Sequence, residues 1–446
     1  MKSATRKTNK LENIIDMEEC YYLSQAILEA SRCLLCYDAP CSKECPAGTD
    51  PGTFIRKLRF KNIKGAIRTI KENNILGGLC GILCPTERLC KKACSATEID
   101  RPIEVGKIQR FLVEYGWETG FKPLEKVQLN KSEIAIIGSG PAGLSCASEL
   151  AKAGLKVTIF EAKENPGGVL RYGIPEFRLN GEFLDRELED IKTLGAEIKC
   201  NSKINFKGVD ELIKKGFKAV FIATGLWNTY KLDIPGSDLK NVTTATQFLE
   251  SVRIGKISKI TSMVKNKNVG IIGGGSVAMD VANICKVLGA KKVYCICLEG
   301  LAEIPADKYD LQMALDNYII IKPQCEVKEI IGDNGMVAGL KGNETEWIKP
   351  NLFIPSNARE VPGTEFNLKV SAVVMAIGSG ADPGTKDICS TIEYKDNNLI
   401  KAKEDGVSTK DQNIFTGGDI VRGPALIAEA IADGKEAAKK IIEKIK

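Results

Sequence analysis

Two stretches of the chain share one order of apolar and polar positions. Each begins with a short apolar run, passes through a glycine-rich turn into an amphipathic segment, and ends in a second apolar run. They read KSEIAIIGSGPAGLSCASELAKAGLKVTIFEA from Lys131 and KNVGIIGGGSVAMDVANICKVLGAKKVYCICLEG from Lys267. Short apolar runs bounded by glycine indicate buried strands, and helical spacing indicates a helix with one covered face. The two stretches therefore predict two βαβ units in parallel sheets with helices on both faces.

The sequence outside these units has other patterns. Apolar residues recur at helical spacing in FIRKLRFKNIKGAIRTIKENN, residues 54–74, and nine of the sixteen cysteines lie between Cys20 and Cys94. This part of the chain predicts a small all-helical domain held together by metal. From Asn413 onward, NIFTGGDIVRGPALIAEAIADGKEAAKKIIEKI predicts a short strand, a glycine turn and a long amphipathic helix.

Length, charge and residue usage narrow the class of protein. At roughly 150 residues per domain, 446 residues predict about three domains. The net charge of +6 is small beside 63 basic and 57 acidic residues, and it predicts no nucleic-acid partner. The charged opening MKSATRKTNKLENIID has no apolar signal core, and no apolar stretch approaches the roughly 20 residues that span a bilayer. We therefore expect a cytoplasmic protein without a membrane partner, whose clustered cysteines bind metal in a reducing compartment.

The first glycine loop has the spacing of a dinucleotide-binding turn. In Gly138-Ser-Gly140-Pro-Ala-Gly143 the first glycine permits a tight turn, the second lets the backbone approach a pyrophosphate, and the third lets helix and strand pack closely. The helix that follows presents its N-terminus to the phosphate charge. About 20 residues further on, Glu161 can hold a ribose hydroxyl. The candidate residues here are Gly138, Gly140, Pro141, Ala142, Gly143 and Glu161.

The second loop, Gly273-Gly-Gly275-Ser-Val-Ala278, lies in the same context with alanine at the third position. Its βαβ unit ends at Glu299, which can accept a hydrogen bond from a ribose 2′-hydroxyl but would repel a 2′-phosphate. No arginine stands beside Glu299 in the sequence to neutralise such a phosphate. We therefore expect this loop to prefer NAD over NADP. The candidate residues are Gly273, Gly275, Ser276, Val277, Ala278 and Glu299.

The N-terminal cysteines form two runs, CLLCYDAPCSKEC from Cys33 to Cys45 and CPTERLCKKAC from Cys84 to Cys94. Pro46 directly follows the first run, as in bacterial ferredoxins, where the fourth cysteine commonly serves the other cluster. Zinc is bound by paired CxxC motifs or by histidines, and the sequence contains no histidine. These features predict two [4Fe-4S] clusters, with zinc and inert thiols as the alternatives.

The seven thiols of the two runs are one short of the eight ligands that two clusters need. Spacing alone favours Cys80, four residues before Cys84, as the eighth ligand, and Cys20 is a more distant candidate. We expect the remaining cysteines to be packing residues. They are Cys146, Cys200, Cys285, Cys295, Cys297, Cys325 and Cys389.

The first loop, with PGG at 166–168, ATG at 223–225 and TGGD at 416–419, resembles the FAD domain of the glutathione-reductase-like flavoproteins. In that family the second nucleotide domain is inserted into the first, and the aspartate of the late GD motif lies on the flavin's ribityl chain. The resemblance implies that Glu161 and Asp419 belong to one FAD site. It adds Gly168, Gly225, Gly418 and Asp419 to the FAD residues.

A wider resemblance covers nearly the whole chain. RCLLCYDAPCSKECPAGTDPGTFI, NNILGGLCGILCPTERLCKKAC and RPIEVGKIQRF, followed by both glycine loops, are similar to one family. It comprises the N-terminal half of dihydropyrimidine dehydrogenase, the flavoprotein subunits of bacterial NAD-dependent dihydropyrimidine dehydrogenases, and the small subunits of glutamate synthase. The segments EASRCLLC, GIPEFRL and GGGSVAMDVA favour the bacterial pyrimidine branch, and GIPEFRL adds Arg178 to the FAD residues.

This family resemblance implies how the cluster ligands are divided. One cluster would be held by Cys33, Cys36, Cys41 and Cys94, and the other by Cys45, Cys84, Cys90 and a ligand that is not cysteine. That ligand is a glutamine in dihydropyrimidine dehydrogenase and maps onto Gln109 in VGKIQRF, whereas glutamate synthase small subunits tend to have glutamate. Gln109 thus favours the pyrimidine branch, and a role as an ordinary polar helix residue stays open.

The resemblance also implies a function. NADH would bind at the second loop and pass hydride to the flavin, and single electrons would leave through the clusters. No side chain would act as acid or base in the hydride step. A partner catalytic subunit with FMN and further iron–sulfur clusters would interconvert uracil or thymine and their 5,6-dihydro forms, in a hetero-oligomer. The alternatives are a glutamate synthase small subunit, a ferredoxin:NAD(P) oxidoreductase-type electron-input subunit, and, outside enzymes, a zinc-stapled nucleotide-binding module.

The expected architecture is α plus α/β. An N-terminal all-helical iron–sulfur domain precedes tandem glutathione-reductase-like dinucleotide-binding domains, with the NAD domain inserted in the FAD domain. The predicted bounds are 1–126 for the helical domain, 127–245 for the first part of the FAD domain, 246–368 for the NAD domain and 369–446 for the second part of the FAD domain.

Overall fold

The computed structural model describes residues 20–125, 127, 132–205 and 207–445. These residues form two compact units. The inserted unit is Thr229–Ser379, and the larger unit consists of the described residues up to Asn228 and from Gly380 onward. The predicted segment 246–368 lies within the inserted unit, which begins before and ends after those bounds.

Between residues 20 and 125 the structure describes six α-helices. They are α1 (Leu23–Ser31), α2 (Pro40–Lys43), α3 (Pro51–Arg59), α4 (Ile63–Asn73), α5 (Gly77–Leu83) and α6 (Val105–Glu118), with short 3₁₀ turns at Thr86–Arg88 and Ser95–Glu98. Asp50 and Asn62 cap α3 and α4, since each side chain accepts a hydrogen bond from a backbone N–H of the first turn. Apolar residues at helical spacing, such as Phe54, Leu58 and Ile70, are fully buried on the inner faces.

The next part of the larger unit contains the first predicted βαβ unit. Its elements are β1 (Glu133–Ile137), α7 (Pro141–Lys152), β2 (Lys156–Phe160), α8 (Val169–Tyr172), α9 (Gly181–Thr193), β3 (Glu197–Lys199), α10 (Gly208–Lys214) and β4 (Ala219–Ile222). The central strand β1 is apolar without alternation, because Ile134, Ala135 and Ile136 are covered on both sheet faces.

The inserted unit contains the second βαβ unit and a smaller sheet. The two short strands at its chain ends, β5 (Asn228–Thr229) and β15 (Ser379–Gly380), pair with each other. The parallel sheet has the order β6, β14, β7, β8, β9, and in the smaller sheet β11 pairs with β10, β12 and β13. The other elements are β6 (Val242–Thr244), α11 (Ala245–Arg253), α12 (Ile257–Val264), β7 (Asn268–Ile272), α13 (Ser276–Val287), β8 (Lys292–Ile296), α14 (Lys308–Asp316), β9 (Ile320–Lys322), β10 (Cys325–Asp333), β11 (Met336–Trp347), a 3₁₀ turn at Pro355–Asn357, β12 (Ala358–Glu360), β13 (Phe366–Leu368) and β14 (Ala372–Met375).

The antiparallel sheet was not among the sequence predictions, although a local signal for it exists. Strands β10 and β11 are joined by the two-residue turn Asn334-Gly335, with φ of 49° and 75°. An Asn-Gly pair with both φ values positive is the favoured short hairpin turn, because its twist matches that of the strands it joins.

The last part of the chain completes the larger unit. After a 3₁₀ turn at Pro383–Asp387 come β16 (Ile414–Thr416), α15 (Asp419–Arg422) and α16 (Ile427–Ile445). Strand β16 adds to the first sheet, whose five parallel strands have the order β16, β4, β1, β2, β3. Helix α16 packs closely on α7, since a Cβ at Gly434 would lie 2.3 Å from the carbonyl oxygen of Ala142. In the described parts of the chain, no helix combines the length and apolarity needed to cross a membrane.

A buried ion cluster joins the helical segment to the sheet within the larger unit. Lys71 of α4 is 2% exposed, and its Nζ pairs with Glu187 and, at 2.7 Å, with Asp190, both on α9. Burial alone would lower the pKa of Lys71, but the two carboxylates outweigh it and raise the pKa, so the lysine is charged. Glu187 also accepts a hydrogen bond from the backbone N–H of Leu79 at 3.2 Å, which fixes α5 against α9.

We predict that Lys71→Ala lowers the free energy of unfolding by about 3–5 kcal/mol, because it leaves two carboxylates without their buried cation. Denaturant titration followed by circular dichroism measures this loss. Lys192→Ala is the matched control, since Lys192 lies on the exposed side of α9 with only a 3.9 Å contact to Glu189. We expect the control to change stability by no more than about 0.5 kcal/mol, and equal effects of both variants would contradict the role given to Lys71.

Candidate functional site

The cysteines of the first run surround a small cavity in the helical segment. It is lined by Cys33, Cys36 and Cys41 from the first run, by Cys94 from the end of the second, and by apolar residues that include Ile55 and Ile103. Leu35, between the first two cysteines, has a φ of 56°, which lets the CLLC loop turn sharply. The carbonyl of Cys33 accepts a hydrogen bond from the Arg59 guanidinium at 2.5 Å, and this bond fixes the loop to α3.

A second cavity lies between α5 and α6. Cys45, Cys84, Cys90 and Gln109 line it, as does Cys80. The structure thus brings together each of the two sets of side chains that the sequence analysis grouped, and it adds Cys80 to the second. Within the described residues, no three or more cysteine, aspartate or glutamate side chains converge on a point that would hold a single metal ion.

Close backbone contact between α5 and α6 brings Gln109 to this cavity. A Cβ at Gly81 would lie 2.8 Å from the carbonyl oxygen of Gly106, and a Cβ at Gly106 would lie 2.8 Å from that of Gly81. Only glycine at both positions permits this approach. Gln109, one turn beyond Gly106, is 5% exposed and donates from Nε2 to the carbonyl of Gly77.

Cys80 is held by a buried hydrogen-bond network at the same cavity. Asn74, 1% exposed, donates to Cys80 Sγ at 3.3 Å and to Thr49 Oγ1 at 3.0 Å. The backbone N–H of Thr49 in turn donates to Cys45 Sγ at 3.5 Å. A hydrogen bond with Cys80, together with burial, raises the pKa of Cys84. Cys80 is therefore hydrogen-bonded to one predicted ligand, Cys84, and linked through Asn74 and Thr49 to another, Cys45.

Cys20 does not line either cavity. Burial, followed by a hydrogen bond with Glu114 of α6, raises the pKa of its thiol to about 12. Among the cysteines expected to be packing residues, Cys146, Cys285, Cys295, Cys297, Cys325 and Cys389 are buried, and Cys200 is partly exposed.

The three glycines of the first loop have different surroundings. Gly138 has a φ of 99°, and a Cβ there would lie 2.4 Å from the carbonyl oxygen of Ala223. A Cβ at Gly143 would lie 2.0 Å from the carbonyl oxygen of Gly138. Around Gly140, by contrast, a Cβ would meet no described atom within 4 Å. The outer glycines are required by the fold, whereas the middle one borders open space at the N-terminus of α7, where Pro141 and Ala142 begin the helix.

Glu161 follows β2 and points back at this loop. It is 6% exposed, and its Oε2 accepts hydrogen bonds from the backbone N–H of Ser139 at 3.1 Å and from the Ser139 hydroxyl. The Ser139 hydroxyl in turn accepts from the N–H of Gly167 at 3.0 Å. In the same turn Gly168 has a φ of 55°, and a Cβ there would lie 2.9 Å from the Cα of Gly140. The PGG turn therefore packs directly on the glycine loop.

The remaining predicted residues of the first site occupy strand ends and turns. Gly225 follows β4 with a φ of 67°, and Gly418 follows β16 with a φ of 74°. Asp419 begins α15, and burial raises the pKa of its carboxyl group to about 6. The carboxyl ends of parallel strands meet at one sheet edge, so β1, β4 and β16 bring these turns to the same edge as the glycine loop. Arg178 lies in the turn before α9 and is half-buried.

Two residues that the sequence analysis missed support a ligand site at this edge. The hydroxyl oxygen of Thr224, in the ATG turn, is buried without a hydrogen-bond partner. Buried polar atoms are nearly always paired, so this hydroxyl points to a bound group. Asp433 of α16 accepts from the N–H of Gly418 at 2.8 Å and from Arg422 Nε at 2.7 Å, and so fixes the GD turn. The threonine in ATG was a sequence signal for the first residue, whereas nothing local distinguishes Asp433.

The second loop repeats the pattern in the inserted unit. Gly273 has a φ of 134°, and a Cβ there would lie 2.3 Å from the carbonyl oxygen of Ala376, whereas a Cβ at Gly275 would meet no described atom within 4 Å. Helix α13 begins directly after it with Ser276, Val277 and Ala278. The carboxylate of Glu299 lies beside the loop, with Oε2 3.4 Å from the Cβ position of Gly274.

Comparison with known proteins gives matches for both the cysteine-rich helical segment and the segment with the two glycine loops. Residues 10–121 match the family model described as dihydropyrimidine dehydrogenase domain II, 4Fe-4S cluster, and residues 132–434 match pyridine nucleotide-disulphide oxidoreductase. The chain is 38% identical over 418 residues to the NAD-dependent dihydropyrimidine dehydrogenase subunit PreT of Escherichia coli K12, covering 93% of each chain. It is 30% identical to the glutamate synthase [NADPH] small chain of the same organism, covering 98% of this chain and 94% of that one.

A solved structure agrees with these matches at the level of the fold. Mycobacterium tuberculosis FprA in complex with NADPH superimposes with a TM-score of 0.60 at 17% identity, covering 71% of this chain and 85% of that one. The architecture is therefore a helical N-terminal domain of the iron–sulfur type followed by a pyridine nucleotide-disulphide oxidoreductase fold.

We predict opposite behaviour of two alanine substitutions in the first loop. Gly143→Ala should lower the melting temperature strongly, because its methyl group would overlap the carbonyl oxygen of Gly138. Gly140→Ala should leave the melting temperature of the ligand-free chain nearly unchanged, because its φ of −73° suits alanine and its methyl group meets open space. Differential scanning calorimetry of ligand-free protein measures both, and similar losses would contradict the assignment of an open edge at Gly140.

Proposed function

This chain belongs to the family of the NAD-dependent dihydropyrimidine dehydrogenase subunit PreT, and from that premise we propose that it is the NADH-oxidising electron-input subunit of such an enzyme. One observation carries the proposal. The chain combines two thiol-lined cavities with two glycine loops, and in each loop the second glycine of the motif borders open space and a carboxylate follows the next strand. An electron-input subunit needs a site for a nicotinamide donor and a route by which single electrons leave. The non-enzyme alternative, a zinc-stapled nucleotide-binding module, gives way to membership of an oxidoreductase family.

We propose that the larger unit holds FAD. Gly140 leaves room for the pyrophosphate, and Glu161, already fixed by Ser139, accepts from the adenosine ribose. The unpaired hydroxyl of Thr224 and the partly buried Asp419 offer polar partners to the flavin half. The residues assigned to FAD are Gly138, Gly140, Pro141, Ala142, Gly143, Glu161, Gly168, Arg178, Gly225, Gly418 and Asp419.

The inserted unit is the proposed NADH site. Gly275 opens the loop to the pyrophosphate, and Glu299 accepts from the ribose 2′-hydroxyl. With FAD in the larger unit, this gives the glutathione-reductase-like arrangement, in which the NAD domain interrupts the FAD domain along the chain. The residues assigned to NAD are Gly273, Gly275, Ser276, Val277, Ala278 and Glu299.

The two cavities are the proposed sites of two [4Fe-4S] clusters. The first has four thiols, Cys33, Cys36, Cys41 and Cys94, which is the full thiolate set of one cluster. The second has Cys45, Cys84 and Cys90, with Gln109 and Cys80 as candidates for the fourth position. Because the amide nitrogen of Gln109 is already bonded to Gly77, its amide oxygen is the atom we propose as the ligand.

When bound, a flavin would supply two-electron acceptance with one-electron release, and iron–sulfur clusters would supply one-electron transfer. The protein's own contribution is to hold these groups and exclude water. Around the second cavity, Lys435 donates to the carbonyls of Ala47 at 2.8 Å and Asn73 at 2.7 Å, so it fixes two loops that carry or flank cysteines. Burial lowers the pKa of this lysine.

The electrons require an acceptor outside this chain. The relatives named above are a dehydrogenase subunit and a synthase small chain, so we propose a hetero-oligomer. The proposed partner is a catalytic subunit with FMN and further iron–sulfur clusters that interconverts uracil or thymine and their 5,6-dihydro forms. The glutamate synthase small chain, 30% identical, supports the second candidate, electron input to glutamate synthase.

The function is tested with the purified chain and with its co-purified partner. We expect the chain alone to be yellow-brown, to contain iron and acid-labile sulfide, and to reduce ferricyanide with NADH, but not to reduce uracil. Adding the partner should give NADH-dependent reduction of uracil. Turnover of glutamine plus 2-oxoglutarate in place of uracil would support the second candidate, and reduction of uracil without a partner would contradict the two-subunit scheme.

The fourth ligand of the second cluster can be assigned by paired substitutions. We expect Gln109→Ala to change the electron paramagnetic resonance signal of one reduced cluster, because it removes a ligand. Cys80→Ala should leave both signals in place, since Cys80 hydrogen-bonds to Asn74 and Cys84. Iron content per chain is the second readout. The reverse pattern would transfer the ligand role to Cys80.

A further inference from the structure

The turn that carries Glu299, the residue proposed to bind the ribose, contains a second carboxylate four residues further along the chain. After β8 the chain runs Glu299-Gly300-Leu-Ala-Glu303. The turn folds back, so that Glu303 Oε2 accepts a hydrogen bond from the backbone N–H of Gly300 at 3.0 Å. Glu303 therefore adjoins the residue that directly follows Glu299.

A tryptophan from the antiparallel sheet fixes this second carboxylate. Trp347, the last residue of β11, donates from Nε1 to Glu303 Oε2 at 2.9 Å. The Trp347 ring packs edge-on against Phe353, with 5.6 Å between ring centroids, so the donor itself is positioned by packing. Both donors to Glu303, an amide and an indole N–H, are neutral. They orient the carboxylate without cancelling its charge.

We propose that Glu303 is a specificity-determining residue that acts with Glu299 to exclude nucleotides carrying a 2′-phosphate. This inference rests on the proposed binding of NADH at the second loop. Glu299 lies at the loop, where its Oε2 is 3.4 Å from the Cβ position of Gly274, and accepts from a free 2′-hydroxyl. Glu303, whose carboxylate is bonded to the backbone N–H of the next residue after Glu299, adds a second negative charge to the same turn.

The charges explain why two carboxylates discriminate better than one. A phosphate monoester carries between one and two negative charges near pH 7, whereas a hydroxyl carries none. A ligand with a free 2′-hydroxyl gains the hydrogen bond to Glu299 and is little affected by Glu303. A ligand with a 2′-phosphate loses that hydrogen bond and is repelled by both carboxylates. The choice between a 2′-hydroxyl and a 2′-phosphate is therefore made when the nucleotide binds.

Binding of two ligands that lack nicotinamide tests the inference. The full chain is titrated by calorimetry with ADP-ribose and with 2′-phospho-ADP-ribose, for the wild type, Glu303→Gln, Glu299→Gln and the double variant. A glutamine at 303 still accepts from Gly300 and Trp347, so the turn is expected to keep its shape, and melting temperatures check this. Glu365→Gln, an exposed position in the same unit, is the control for loss of one negative charge.

We expect Glu303→Gln to tighten binding of 2′-phospho-ADP-ribose about five- to tenfold while leaving ADP-ribose unchanged, and the double variant to tighten it further. Glu365→Gln should change neither ligand. An unchanged ratio of the two affinities in Glu303→Gln, or equal weakening of both ligands, would overturn the inference and leave Glu303 as a brace of the turn. If the wild type binds the two ligands equally, the proposed use of NADH fails; a wild type that prefers ADP-ribose with an unresponsive Glu303→Gln overturns only the inference.

Discussion

The buried contact of Lys71 with Glu187 and Asp190 is the constraint on which the larger unit depends. A charged lysine that is 2% exposed is stable only where carboxylates compensate for its lost hydration, and α9 supplies both of them. Trp117 of α6 donates to Asp190 at 3.2 Å and packs edge-on against Phe183, so a third helix joins the same cluster. Helices α4, α5 and α6, of which α5 and α6 flank the second cavity, are thereby fixed to α9 within the larger unit.

Close packing transmits this constraint to the candidate site. A Cβ at Gly78 would lie 2.5 Å from Glu187 Oε1, so α5 lies directly on the buried carboxylate, and Gly81 of the same helix contacts Gly106 of α6. Helix α5 therefore contacts the ion cluster through Gly78 and contacts α6, the helix that contains Gln109, through Gly81. Lys435 of α16 donates to the carbonyls of Ala47 and Asn73, and so holds the segments that follow Cys45 and precede α5. The geometry of the thiols is thus set by contacts with parts of the chain distant in sequence.

The two glycine loops place glycines of similar sequence pattern in different surroundings. In both, the first glycine adopts a positive φ that other residues avoid and lies against a backbone carbonyl. In each loop the second glycine of the motif, Gly140 or Gly275, borders open space. The loops differ in what surrounds the acidic residue after the next strand. Glu161 is buried and bonded to Ser139, whereas Glu299 is followed by Gly300, whose N–H donates to a second carboxylate, Glu303, that Trp347 fixes. This difference supports the proposal that the two loops bind different nucleotides.

The sequence by itself determined the two βαβ units, the helical N-terminal segment and the family, and the resemblance to that family implied how the thiols are grouped. These depend on short-range patterns: apolar runs bounded by glycine, cysteine spacing, and an acidic residue at a strand end. Tertiary structure alone decided that Cys80 and Gln109 share a cavity, that Thr224 has an unpaired hydroxyl, and that Glu303 meets Trp347. It also decided that Lys71 is buried, although its helix reads as amphipathic with an ordinary basic residue. Such facts arise from pairs of residues far apart along the chain, and local periodicity carries no information about which distant partners will meet.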